Sequence, residues 1–228
     1  MSDARRILLA GATGLVGTHV MELAVAHPWA RLVALTRREA PMPSGARMEM
    51  MVAQPDGWPE AVTTIAPGAV ICALGTTMRK AGGEEAFRAI DHDLVLALAT
   101  AARKAEVGNF VLVSSAGADA FAKPFYLRVK GETETALAKL RFRRLDILRP
   151  GLLRGTRTGD FRPLEALARL VSPVADPFLR GPRRQFRSMA VEVLAAAALQ
   201  CAREKAQGRF VHDHDAIERL ARRLDGAA

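Results

Sequence analysis

Residues 5–17, "RRILLAGATGLVG", join a short apolar run to three glycines spaced G-x-x-G-x-x-G at Gly11, Gly14 and Gly17. A nearly continuous apolar stretch of this length suits a strand buried on both faces, as in parallel sheets covered by helices. Glycines directly after it let the backbone turn sharply and approach an anion closely. The helix that follows offers its free N-terminal amides to a pyrophosphate. A glycine triplet alone is weak evidence, and its place between strand and helix is what gives it meaning. The plain alternative is a tight strand-to-helix turn that uses small residues for packing.

Outward from this motif, buried runs alternate with segments of helical period. A helix over Val16 to Ala26 stops near His27 and Pro28. "RLVALT" reads as a second strand and "ARMEMMVA" as a third. After "PDGWPE" and a short helix, "GAVICALG" is a fourth strand. Residues 84–106 read as one long helix, stopped by Gly108. "NFVLVSS" is a fifth strand, Tyr126 to Leu140 a helix and "RRLDILRP" a sixth strand. This alternation predicts an α/β fold, a Rossmann-type doubly wound parallel sheet with helices on both faces. Beyond Pro150 the rhythm loosens. A loop, a helix over "FRPLEALARLV", a Pro-rich connection, a helix over Met189 to Lys205, a short strand "GRFVHD" and a helix over Ala216 to Leu224 follow. A length of 228 residues suits one domain. Residues 1–150 are expected to form the cofactor-binding core, and residues 151–228 a small, dependent cap on the substrate side.

Half of the residues are hydrophobic, enough for a sizeable core. Cys72 and Cys201 lie far apart without metal-ligand spacing and read as reduced, buried thiols. The apolar run Ile7 to Ala10 is too short for a signal-peptide core. The late run "VLAAAALQCA" falls far short of a bilayer span. The expectation is a soluble, cytoplasmic protein with no membrane span. The net charge of +9 is uneven: residues 141–187 hold twelve Arg and no Lys against four carboxylates, a local balance of +8. That fits a site for phosphorylated or acidic ligands. It also fits a solvated face in a chain that favours Arg throughout, so no nucleic-acid partner is expected.

The end of the second strand should lie near an adenosine ribose, where NAD-specific enzymes place a carboxylate about 20 residues after the glycines. Here Thr36 holds that position, and Arg37 and Arg38 follow. Two guanidiniums and no carboxylate favour a 2′-phosphate, hence NADP(H), with NAD(H) the alternative.

"YLRVK", residues 126–130, contains the only tyrosine of the chain. Pro124 suits the first turn of a helix. Tyr126 and Lys130 then lie one turn apart on one face. A phenol with a pKa of about 10 is a poor proton carrier at neutral pH. An adjacent ammonium favours the phenolate and makes proton exchange with a carbonyl or alcohol feasible. The fifth strand ends in Ser114 and Ser115, at the sheet edge where such folds bind ligands. A hydroxyl there can hydrogen-bond a substrate oxygen as charge develops.

With "GATGLVG", "TRR", "CALGTT", "IDHDLV", "SSAGAD", "FYLRVKGETE" and "LRPGLL" in this order, the chain resembles the short-chain dehydrogenase/reductase superfamily. It is most similar to the atypical, epimerase-like branch related to the Tat-interacting-protein oxidoreductases. The resemblance runs from residue 8 to about residue 155, and more loosely through "RFVHDHDAIERL". It implies that Gly11, Thr13, Gly14, Leu15, Val16 and Gly17 hold the pyrophosphate and that Arg37 and Arg38 hold the 2′-phosphate. It further implies that Leu74, Gly75 and Thr76 line the adenine–ribose side, and that Pro150 and Gly151 flank the nicotinamide. Ser115, Tyr126 and Lys130 match the catalytic triad, with Lys130 also reaching the nicotinamide ribose; Ser115 is preferred to Ser114 by position.

Three features depart from the superfamily pattern. Asp91 stands where epimerase-like relatives often have Asn, and the only Asn is Asn109. Ala53 replaces an Asp that often contacts adenine. Too few residues follow position 150 for the substrate domain of a sugar-nucleotide epimerase.

The expected function is an NADP(H)-dependent oxidoreductase that transfers a hydride to or from a carbonyl or alcohol of a small-molecule substrate. One alternative is a cofactor-sensing regulator read by a protein partner. Another is a nucleotide-sugar epimerase or dehydratase. A homodimer is compatible with all three. "VHDHD", residues 211–215, reads as helix capping by Asp213 or Asp215 in preference to a metal site. His92 can face either the cleft or solvent. Cys72 reads as core, because nothing near it in sequence activates a thiol.

Overall fold

Successive residues of the first strand, β1 (Arg5–Ala10), enter opposite apolar layers: Ile7 and Leu9 one, Leu8 and Ala10 the other. Burial on both faces is why the sequence shows an apolar run and no alternation. The structure, a computed structural model, describes residues 5–155 and 181–226. Six further strands join β1 in one sheet: β2 (Ala30–Thr36), β3 (Glu49–Val52), β4 (Ala69–Cys72), β5 (Asn109–Val113), β6 (Arg144–Leu148) and β9 (Gly208–His212). Their order is β3-β2-β1-β4-β5-β6-β9, and every neighbouring pair is parallel. The chain leaves β1 in one direction across the sheet and resumes from β4 in the other. The loops after β1 and β4 therefore diverge and open a crevice at the carboxyl ends of the strands.

One face of the sheet is covered by α1 (Leu15–Val25), α7 (Val191–Arg203) and α8 (His214–Asp225). The other face is covered by α2 (Trp58–Ile65), α5 (Val95–Lys104) and α6 (Phe125–Lys139). This is the expected doubly wound arrangement, and the predicted strands fall where the apolar runs placed them.

Two elements differ from expectation. After a short helix, α3 (Met78–Ala81), the helix predicted over residues 84–106 is three pieces: α4 (Glu84–Arg88), a π-helical turn over Ala89–Leu94, and α5. The wider turn brings Asp91 into the interior, where it is buried; π turns of this kind interrupt helices preferentially at functional sites. The second difference concerns the chain after residue 150. Met189–Ala190 forms a strand, β8, paired in parallel with β7 (Leu153–Arg154), so the helix expected from Met189 begins at Val191. Residues from Leu194 to Ala202 of α7 are all buried against α1 and the sheet. The segment expected as a cap over residues 151–228 thus supplies a strand and two helices of the main layers. Among the described residues after Pro150, the crevice is bordered by 151–155, which include β7, and by Phe186 of a 3₁₀ turn over Gly181–Phe186. The helix expected over "FRPLEALARLV" and most of the Pro-rich connection lie outside the described residues, as does much of the arginine-rich stretch.

A buried polar cluster ties β9 to β6. Asp146 accepts from Arg144 Nε at 2.6 Å and from Arg144 Nη2 at 2.8 Å, and His212 Nε2 lies 2.8 Å from its Oδ1. The Arg144 guanidinium stacks over Phe210 at 4.3 Å. The two histidines of "VHDHD" therefore serve different partners: His212 faces Asp146, while His214 Nε2 lies 3.4 Å from the Ser188 carbonyl oxygen. Asp213 between them caps α8, accepting from the Ala216 amide at 2.9 Å, as its sequence position predicts.

Candidate active site

The phosphate loop is folded as its glycines require. Gly11 has φ +87°, and a Cβ there would lie 2.5 Å from the Ala73 carbonyl oxygen of the neighbouring β4 loop. A Cβ at Gly17 would lie 2.2 Å from the Gly11 carbonyl oxygen. No side chain fits either place, so the turn closes only with glycine. Gly14 is the N-cap of α1 and provides no side-chain cap, leaving the first amides of the helix without a side-chain partner at that end. Helix amides and dipole at such an end suit a pyrophosphate.

A cleft of about 670 Å³ opens beside this loop. Gly14, Leu15 and Val16 form one wall, and Leu74, Gly75 and Thr76, after β4, form the next. Ser114 and Ser115 follow β5, Tyr126 and Lys130 come from α6, and Pro150 and Gly151 follow β6. Four strand ends and one helix thus bring twelve of the singled-out residues to one cavity. Thr13 and Arg38 border a neighbouring cleft of about 710 Å³ that shares Leu15 with the first. Arg37 and Arg38 are exposed, while Gly17 is buried beneath the loop.

Tyr126 is half-buried at the start of α6, its ring 5.5 Å from that of Phe87. One turn on, Lys130 is buried, and its Nζ lies 2.8 Å from Asp91 Oδ1. Asp91 Oδ2 accepts the Thr76 amide at 2.9 Å, and the Asp91 carbonyl accepts Thr133 Oγ1 at 3.0 Å. Burial alone would pull the Lys130 ammonium down. The charge of Asp91, with smaller contributions from Tyr126 and Cys72, outweighs burial and holds it above its ordinary 10.5. The Cys72 thiol, beneath the same loop, is pushed up to about 12 by burial, so it stays protonated and inert as its place in the core suggests. The helix that carries Tyr126 and Lys130 is held from behind. A Cβ at Gly131 would lie 2.1 Å from the Asp119 carbonyl carbon, so the loop after β5 packs directly on the α6 backbone.

The two serines are unequal. Ser114 is buried, and its Oγ donates to Glu134 Oε1 at 2.5 Å. Glu134 also accepts Arg149 Nε at 3.0 and 3.1 Å and is ion-paired with Arg149 through Nη2. Ser115 is half-buried, and its Oγ makes one long contact of 3.3 Å to the Ala116 carbonyl. The Ser115 hydroxyl is thereby the freer of the two toward the cleft.

The geometry adds Asp91, Lys80, Arg154 and Phe186 to the lining. Asp91 had a signal, a carboxylate where similar proteins often have Asn, but its lysine partner needed the fold. His92, which could have faced the cleft, instead pairs with the exposed Asp93 at 2.7 Å. Asp56, the nearest carboxylate after β3, accepts the amide of Gly57 at 3.0 Å.

A protein-family model described as NAD(P)H-binding matches residues 11–174. Among curated proteins, the chain is similar to Protein fmp52-1, mitochondrial, of Aspergillus terreus, 35% identical over 208 residues and covering 89% of each. It is also similar to Protein FMP52, mitochondrial, of Saccharomyces cerevisiae, 39% identical over 156 residues, 67% of this chain and 68% of that protein. Among solved structures, the UDP-glucose 4-epimerase from Brucella ovis in complex with NAD superposes with a TM-score of 0.69. That match has 15% identity and covers 94% of this chain and 81% of the epimerase. WbmH of Bordetella bronchiseptica, in complex with NAD+, gives 0.67 at 15% identity, covering 96% and 79%. These two likenesses are of fold.

The expected cytoplasmic location is overturned by the curated relatives, which are named as mitochondrial. Secretion signals and membrane spans do not separate cytosol from organelle. Among the described residues no helix is long and apolar enough to cross a membrane. The chain belongs to the NAD(P)H-binding family, with the fmp52 proteins among its relatives.

Proposed function

We propose that the chain is an NADP(H)-dependent oxidoreductase acting on a carbonyl or alcohol group of a small-molecule substrate. The observation that carries this reading is the shared cleft: Ser115, Tyr126 and Lys130 border the same cavity as Gly14 and the start of α1. Bound NADP(H) supplies or accepts the hydride. Tyr126, half-buried at the cleft, donates a proton to the substrate oxygen in reduction and takes it back in oxidation. Ser115 donates a hydrogen bond to the same oxygen as negative charge develops. Lys130, held protonated by Asp91, steadies the phenol one helical turn away and lies within the cleft wall that a nicotinamide ribose would face.

The preference for NADP(H) rests on Arg37 and Arg38, both exposed just beyond the end of β2, and on Thr36 in place of a carboxylate. The test is Tyr126→Phe. NADPH binding, followed by nicotinamide fluorescence, should persist, while NADPH oxidation across a panel of aldehydes and ketones should be lost.

One observation favours a second reading, a cofactor-sensing protein with little turnover. Asp91 neutralises Lys130 within the cleft, so the pair adds no net charge beside Tyr126. Cells in which Tyr126→Phe replaces the native chain without effect, while Gly17→Glu at the phosphate loop abolishes function, would support it.

A further inference from the structure

We propose that Arg154 is an anion-binding point inside the cleft, taking a phosphate or carboxylate group. Among the described residues, three cations and one carboxylate border this cavity: Lys80, Lys130, Arg154 and Asp91. Asp91 neutralises Lys130. Lys80 is exposed on a flexible stem. Arg154 is neither, because its Nε is buried and has no hydrogen-bond partner. Among the described residues, none forms an ion pair with it. A guanidinium N–H removed from water without an acceptor is costly to keep. Its planar fork of donors matches phosphate and carboxylate oxygens.

The backbone that carries Arg154 is fixed from both sides. Arg154 pairs with Ala190 in the β7–β8 ladder. A Cβ at Gly151, just before β7, would lie 2.3 Å from the Arg187 carbonyl oxygen. A Cβ at Gly155, just after it, would lie 2.4 Å from Val191 Cγ1. Such close packing fixes the backbone from which the guanidinium is presented before any ligand arrives. The same Gly155 position lies 3.4 Å from Leu15 Cδ1, which puts the strand beside the first turn of α1. A guanidinium with a buried, unpartnered Nε and the positive end of a helix on one cavity select for negative charge.

Two ligands could bring that charge. One is the dinucleotide itself, through its pyrophosphate, and this source rests on the function proposed above. The other is an acidic substrate, whose apolar part would meet Leu152 and Phe186, which border the cleft and are 49% and 45% exposed.

The experiment compares the full chain with Arg154→Gln and Arg154→Lys, each first confirmed as folded by circular dichroism. Arg154→Met replaces the glutamine variant if that one does not fold. NADPH affinity is measured by titration. The thermal midpoint of the NADPH-saturated protein is then measured in inorganic phosphate and in sodium chloride of equal ionic strength. If the source is the cofactor, Arg154→Gln weakens NADPH binding by about 10-fold or more, and Arg154→Lys by less. If it is a second anionic ligand, NADPH affinity is unchanged and phosphate raises the midpoint of the wild type and of Arg154→Lys, an effect that Arg154→Gln loses. Equal NADPH affinity and equal phosphate response in wild type and Arg154→Gln would overturn the proposal. A wild type that binds neither NADPH nor NADH would defeat the oxidoreductase reading instead. The phosphate comparison on the cofactor-free protein would still report on Arg154.

Discussion

Lys130 Nζ and Asp91 Oδ1 lie 2.8 Å apart, with side chains 6% and 0% exposed. The pair couples the face of α6 that carries Tyr126 and Lys130 to the π-helical turn over Ala89–Leu94 and, through the Thr76 amide, to the loop after β4. It therefore fixes the geometry of the site from two directions. A buried pair of this kind costs desolvation to form, yet losing one partner is worse, because the other charge is left buried and alone.

Asp91→Ala is accordingly expected to lower the free energy of unfolding by about 3–5 kcal/mol, read from urea denaturation. Adding Lys130→Met to that variant should restore much of the loss by removing the stranded charge. A double variant no more stable than Asp91→Ala would show that the pair does not behave as a coupled unit.

The alkaline limb of stability follows from the buried thiols and Lys130. Burial raises the Cys72 thiol from 9.0 to about 12 and holds Cys201 well above 9.0. The folded chain keeps protons that the unfolded chain releases, so this stabilisation is complete below pH 9.0 and is lost as pH rises toward 12. Lys130, raised above 10.5, acts in the same direction at higher pH. Urea midpoints should fall above pH 9.0, and Cys72→Ala should flatten the first part of that fall. Both thiols should resist alkylation in the native protein and react once it is unfolded.

The two serines separate stability from chemistry. Ser115→Ala should reduce kcat by about 100-fold with an unchanged thermal midpoint. Ser114→Ala, which removes a hydroxyl from buried Glu134, should cost about 1–2 kcal/mol of stability and leave kcat within a few-fold.

Arg37→Ala combined with Arg38→Ala should weaken NADPH binding by about 10-fold or more and leave NADH binding nearly unchanged. Titrating both cofactors against the double variant checks this. Equal losses for the two cofactors would assign the arginines no role at a 2′-phosphate.

Much of the fold was legible because its signals are local. An apolar run such as Ile7 to Ala10 reads as a doubly buried strand, and the glycines after it as a turn, without knowledge of any distant residue. The cleft followed from the same logic, since Ser115 and Pro150 each sit at a strand end. What sequence could not show was set by distant partners. The inward turn of Asp91 is explained by Lys130 on α6 and by the Thr76 amide, both distant from it along the chain. The alanine-rich stretch of α7 reads equally well as a cap or a core helix. Its place is set by its direct packing against α1 and the sheet, far away in sequence. Arg154 lacked any sequence signal because one arginine among many stands out only by its missing partner.

The proposed function turns on proton transfer by Tyr126 beside a reduced nicotinamide. Its most direct test is NADPH oxidation under single-turnover conditions with a carbonyl panel, comparing wild type and Tyr126→Phe at matched cofactor occupancy. Wild type should oxidise NADPH with at least one substrate, and the variant should do so at least about 100-fold more slowly. Equal rates for the two proteins, or no oxidation by a wild type that binds NADPH tightly, would contradict it.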